Sequence, residues 1–148
     1  MQDFKKIDIW KRSFNLSIDI YKATSSFPSH EKFGLTSQIR RAAISIPTNI
    51  AEGAGRYSRK DFANFLQIAI WSASEVDCEF LIAKELGFLD KNIFDSLYNE
   101  ITEIRKMLVS YRFSILDYER KVKKQTDSPS TPNNENSITE NDSKTHNS

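Results

Sequence analysis

The 148-residue sequence predicts an all-α protein: an antiparallel up-down-up-down four-helix bundle with a disordered C-terminal tail. Three observations carry that reading. Apolar residues recur three and four positions apart in four successive stretches, the period of helices with one buried face. Nowhere does the alternation of a half-buried strand compete with it. From Gln125 to Ser148 the composition turns to Ser, Thr, Asn, Pro and acidic residues, with Ile138 the only large aliphatic. Such a stretch buries too little apolar surface to offset the entropy of ordering it. The bundle is therefore assigned to residues 1–124 and the tail to 125–148. Short connections make consecutive helices antiparallel neighbours.

The first helix is predicted from Asp8, as N-cap, to Ser25. Trp10, Phe14, Leu16, Ile18, Ile20 and Tyr21 form one broad apolar arc, and Phe27-Pro28 ends the run. The second spans His30 to Ala54, with Leu35, Ile39, Ala42, Ala43, Ile46 and Ile50 on its core face. Pro47 removes the amide that would bond the Ala43 carbonyl, so a kink or a break and restart is expected there. Gly53-Ala54-Gly55 is expected to close the helix through left-handed glycine. Ser58 opens the third helix as N-cap, and Phe62, Phe65, Leu66, Ala69, Ala73, Val76, Phe80 and Ala83 carry its core stripe to Gly87. Asp90 caps the fourth, where Ile93, Leu97, Ile101, Ile104, Leu108, Tyr111 and Ile115 make the cleanest helical stripe in the chain.

Residues 1–124 hold 20 Lys and Arg against 16 Asp and Glu, and the tail holds one against four. A mildly basic domain permits nucleic-acid contact without arguing for it. Cys78 stands alone, which excludes a disulfide framework or a Cys-based zinc site within one chain. No signal-like or membrane-length apolar run occurs, so a cytoplasmic protein without a membrane partner is expected. His30 and His146 are far apart. Gly53-Ala54-Gly55 lacks the third glycine of a dinucleotide fingerprint and the Lys-Ser/Thr of a phosphate loop. The acidic run from Glu75 to Glu103 lacks the Glu-x-x-His pairs of di-iron bundles. The sequence thus points away from an enzyme: no catalytic residues, no metal and no cofactor are assigned.

Two features exceed what a bundle needs. Gln38, Arg41, Ser45, Asn49, Glu52 and Arg56 form a polar stripe beside the core face of the second helix. Ser and Asn are poor helix formers, so a half-buried network of Gln38, Ser45, Asn49 and Glu52 is expected rather than a merely solvated face. The third helix carries a second apolar line opposite its core, with Trp71, Cys78 and Ile82 and with Glu75 in the line itself. Ile44, Pro47 and Ala51 lie likewise off the core stripe of the second. Apolar residues on two faces point to a further contact, and self-association covers one repeated surface in every copy.

The run Gln38-Ile39-Arg40-Arg41-Ala42-Ala43, then Ser45-Ile46-Pro47, then Asn49-Ile50-Ala51-Glu52-Gly53 and Gly55-Arg56 resembles the bacterial four helix bundle protein family. Phe27-Pro28, Phe33-Gly34-Leu35 and Phe65-Leu66-x-Ile68-Ala69-x-x-Ser72-x-x-Glu75 extend the resemblance, which covers roughly residues 3–120. This is also the 23S rRNA intervening-sequence protein family, and it includes accessory variability determinant proteins of diversity-generating retroelements. The resemblance implies a homopentameric ring, and for the retroelement members contact with nucleic acid and a reverse transcriptase through a basic surface. The ribosomal name records where some of the genes lie. Trp71 departs from the family, which usually has glycine there, and so alters how closely a neighbour packs.

The expected function is a non-catalytic, ring-forming scaffold or adaptor touching RNA, DNA or a nucleoprotein partner. Arg40, Arg41, Arg56, Arg59 and Lys60 are the candidate contacts, and Ile44, Trp71, Cys78 and Ile82 the candidate interface between copies. The alternative is an adaptor that binds only protein.

Overall fold

Four helices follow one another in the expected order in the computed structural model, which describes residues 1–127: α1 (Asp8–Thr24), α2 (Leu35–Ala54), α3 (Arg59–Glu85) and α4 (Lys91–Thr126). Short 3-10 turns at Phe4–Lys6 and Ser29–Glu31 precede α1 and α2. Each helix packs on its sequence neighbours, and α1 closes the square against α4; the diagonal pairs make no close backbone approach. That arrangement is the up-down-up-down bundle. The predicted tail lies, from residue 128 onward, outside the described residues. Its first two residues, Gln125 and Thr126, belong to α4.

The core is aliphatic and alanine-rich: Ile39, Ile46 and Ile50 of α2, Leu66, Ala69, Ala73 and Val76 of α3, and Ile101, Ile104 and Leu108 of α4 are all but inaccessible. The α4 stripe departs from expectation only at its first turn. Ile93 is 42% exposed, and Phe94 takes its place, stacked on Tyr98 at 5.1 Å. Ser58 and Asp90 cap α3 and α4 as expected, accepting from the amides of Asp61 and Ile93 at 3.3 and 3.0 Å.

Other ends differ. Asp8 is the first helical residue rather than the cap, a position that Ile7 fills with no side-chain bond. The predicted start at His30 is only a 3-10 turn; α2 begins at Leu35, whose amide is capped by Glu31 Oε2 at 2.9 Å. Gly55 closes α2 in right-handed geometry, with φ −77°, so its freedom is not used. Gly53 is there for room instead: a Cβ would lie 2.6 Å from the Phe62 ring and 2.8 Å from Phe65 Cβ.

The helix α1 is turned from its expected orientation. Its buried face is Ile9, Ser13, Leu16, Ser17, Ile20 and Thr24, while Phe14, Ile18 and Tyr21 are 41–45% exposed. The hydroxyls tolerate burial because each finds a backbone carbonyl, Ser13 on Trp10 at 3.0 Å and Thr24 on Ile20 at 2.7 Å. Ser17 lies 2.9 Å from the Ser13 carbonyl and also reaches across: its Oγ is 3.0 Å from the carbonyl of Ala43, the one deprived of its amide partner by Pro47. The helix α2 runs through Pro47 unbroken.

Candidate functional site

The polar stripe of α2 resolves into a short seam against α3. Ser45 Oγ and Ser72 Oγ lie 2.8 Å apart; Asn49 Nδ2 donates to Ser45 O at 2.8 Å and to Ser45 Oγ at 3.0 Å. Ser72 also lies 3.0 Å from the Ile68 carbonyl. Small side chains let the two helices approach, and the hydroxyls satisfy one another at the contact. Gln38 is exposed and outside this unit. Glu52 is exposed too and pairs with Arg56 at 2.5 Å. Ser72 is the member that the stripe on α2 alone could not reveal, because it belongs to another helix.

The five candidate cations do not form one cluster. Arg40 folds back on α1, with Nε on Thr24 Oγ1 at 2.8 Å, Nη2 on the Tyr21 carbonyl at 3.2 Å, and its guanidinium 4.5 Å above the Tyr21 ring. It serves the C-terminal end of α1, where carbonyls lack helical donors. Arg41 is exposed on the side of α2 nearer α3. Arg56, Arg59 and Lys60 sit at the other end of α2, about 22 Å from Arg41 at the rise of a helix. Arg56 also lies over the Phe65 ring at 4.9 Å and Arg59 over the Tyr118 ring at 4.1 Å.

That last contact brings a further segment to the same pole. Tyr118 is level with the first residue of α3, so the remaining turns of α4 project beyond it by about 12 Å. They carry Arg120, Lys121, Lys123 and Lys124. The amide of Gln2 bonds the Ala54 carbonyl at 2.8 Å, which places Lys5 and Lys6 nearby. Acids temper the pole: Glu52 holds Arg56, Asp117 holds Lys121 at 2.7 Å and Glu119 holds Lys123 at 3.4 Å. Among the described residues Arg59, Lys60 and Arg120 form no salt bridge, and Tyr57, beside Arg56 and Arg59 in the α2–α3 connection, is 93% exposed.

The family profile of the 23S rRNA-intervening sequence protein matches residues 5–110. The chain belongs to this family. A solved structure, described as a protein of unknown function from the S23 ribosomal protein family of Bacteroides thetaiotaomicron, is 29% identical with a TM-score of 0.64. The likeness covers 70% of this chain and 97% of that one. No curated protein matches. The family span takes in the seam and both ends of α2 but stops before Tyr111, so the basic projection of α4 lies outside it.

In this 23S rRNA-intervening sequence protein several apolar faces stay uncovered among the described residues, Val109 and Phe113 of α4 making one at 51% and 66% exposed. On α3, Trp71 is 63% and Ile82 45% exposed, with Cys78 exposed between them. Between α1 and α2 an open groove of about 730 Å³ is walled by Phe14, Ile18, Tyr21, Ile44 and Pro47. Ile44 was expected at a contact; the aromatic wall on α1 was expected in the core. Trp71 and Ile44 lie on different walls of the subunit. Among the described residues no three His, Cys, Asp or Glu side chains converge as a metal site requires, and no helix is long and apolar enough to cross a membrane.

Proposed function

We propose that this protein is a non-catalytic, self-associating cytoplasmic scaffold that holds RNA or DNA against the basic pole of each subunit. The observation that carries the reading is the convergence of Arg56, Arg59 and Lys60 with the projecting Arg120–Lys124 turns of α4, beside the open ring of Tyr57. Phosphates are drawn by such a cluster through release of their counterions, and an exposed aromatic offers unpaired bases a stacking surface. The α3 line and the α1–α2 groove are different surfaces of one subunit, so a contact between them repeats head to tail and, where its rotation closes, multiplies the pole around a ring. The number five for that assembly, and a reverse transcriptase as its protein partner, come from the family resemblance.

Binding to short mixed-sequence RNA and duplex DNA, titrated with salt, tests the reading. Wild type is expected to give a linear dependence of log affinity on log salt. Arg59→Ala with Lys60→Ala is expected to lower the slope by about one unit per lost phosphate contact, leaving the assembly intact. Arg40→Ala should barely alter binding, because that guanidinium is committed to α1. Absent binding at low salt would move the reading to an adaptor that recognises only protein, a role the apolar groove would also serve.

A further inference from the structure

Beside the exposed line of α3, which includes Glu75, runs a second row at helical spacing, Ile68, Ser72 and Glu79, on the flank toward α2. Glu79 ends it and is an anomaly: it is only 8% exposed, and its Oε2 is buried with no hydrogen-bond partner. A carboxylate in that position is costly, since it has given up water and gained no donor. Glu75, one turn earlier, adds like charge, and Arg41 across on α2 offsets part of it. The nearby Asp77 belongs to the other flank, where Arg105 of α4 holds it at 2.9 Å. Burial first and Glu75 second outweigh Arg41, and the Glu79 carboxyl is pushed up to about 7.

We infer that Glu79 is a proton-operated control on self-association: a second copy seated on the Trp71–Ile82 line closes the last solvent over Glu75 and Glu79, and the carboxyl takes up a proton as it does so. The inference rests on the reading that this line is a contact between copies. A second copy is the occupant we favour, because the same chain offers both an exposed apolar ridge on α3 and an open apolar groove on α1 and α2, and one contact repeated between copies covers both. Glu75 lies within the apolar line itself, so seating a partner desolvates both carboxylates, and two such groups together do not both stay charged.

The sign follows from linkage. Assembly raises an acid already standing at about 7, so its advantage is full below that value and fades as pH rises through the still higher value in the assembly. One linked proton per contact changes the association constant by at most about tenfold per pH unit.

Sedimentation equilibrium of the full chain from pH 6 to pH 9 tests this, with circular dichroism confirming the fold of each variant. Wild type is expected to assemble more tightly at the acid end and to weaken above neutrality. Glu79→Gln should remain tight throughout. Glu75→Gln should move the midpoint to lower pH, and Arg41→Gln should move it higher. An assembly indifferent to pH, or one that loosens on acidification because the neighbouring copy supplies a cation, overturns the inference and leaves self-association standing. So does a wild-type pH dependence that survives in Glu79→Gln. A monomer at every pH in both proteins overturns self-association itself, and this control with it.

Discussion

A single hydroxyl group partners the carbonyl that Pro47 leaves without its amide in α2. Proline withholds the amide that would bond the Ala43 carbonyl, and the Ser17 hydroxyl on the facing helix stands in its place at 3.0 Å, sharing its one proton with the Ser13 carbonyl at 2.9 Å. Removing it strands a buried carbonyl. Ser17→Ala is therefore expected to cost about 1–2 kcal/mol in urea unfolding. In a Pro47→Ala background the restored amide satisfies Ala43, and the same change should cost less than half as much. Equal costs in both backgrounds would show that Ser17 acts through something other than that carbonyl. The sequence announced Pro47 as a lesion but not its remedy, because a serine on another helix reads as surface until the two helices are placed. Gly53 was legible as special for the wrong reason. Proximity to the end of α2 suggested backbone freedom, whereas the constraint is the ring of Phe62 arriving from α3.

The helices differ in how much of their orientation the pattern discloses. In α4 a single narrow apolar stripe meets a single core, and only the first turn is misplaced. In α1 two apolar surfaces merge into one arc, and residue size favours the wrong one. The true inner face uses Ser13, Ser17 and Thr24, whose hydroxyls are absorbed by the backbone, while Phe14, Ile18 and Tyr21 wall a groove. What fixes α1 in rotation is also polar. Arg12 grips Glu100 of α4 through two bonds of 2.8 Å, and Nη1 rests 3.1 Å from Met107 Sδ. Glu100→Gln is expected to cost about 1 kcal/mol near neutral pH, a modest figure because both side chains keep more than a third of their exposure. The Arg12 hydrogen bonds hold the Glu100 carboxyl below the usual carboxylate range. Its contribution is thus complete above the unfolded value and disappears as pH falls through the lower folded one. Thermal melts should therefore show the variant and wild type converging in acid. A gap that persists there would mean that Glu100 stabilises by packing instead of charge.

At the scale of the whole molecule, neighbours in sequence and neighbours in space part company. Arg40 to Lys60 reads as one cluster of cations, yet α2 carries its two ends to opposite poles, and one of the five is bent back onto α1. The partners of the remaining group come from the far end of the chain, where α4 outruns α3. Only the antiparallel return of α4 beside α3 makes them adjacent, so no local pattern could have joined them. Two truncations separate this local pole from bulk charge. Ending the chain after Asp127 removes Glu135, Glu140, Asp142 and Lys144 and raises the net charge from +1 to +3. Ending it after Tyr118 also removes Arg120, Lys121, Lys123 and Lys124 with Glu119 and Asp127, returning the net charge to +1, that of the full chain. If binding followed net charge, the shorter protein would match the full chain. If the pole binds, the first truncation should hold or strengthen nucleic-acid affinity at low salt, while the second should weaken it and flatten its salt dependence by up to about four units. Helicity and assembly measured on both keep the comparison fair, since Ile115 and the Tyr118 platform for Arg59 are retained in each. Full affinity in the protein ending at Tyr118 would remove α4 from the interface and leave Arg56, Arg59 and Lys60 to account for it alone.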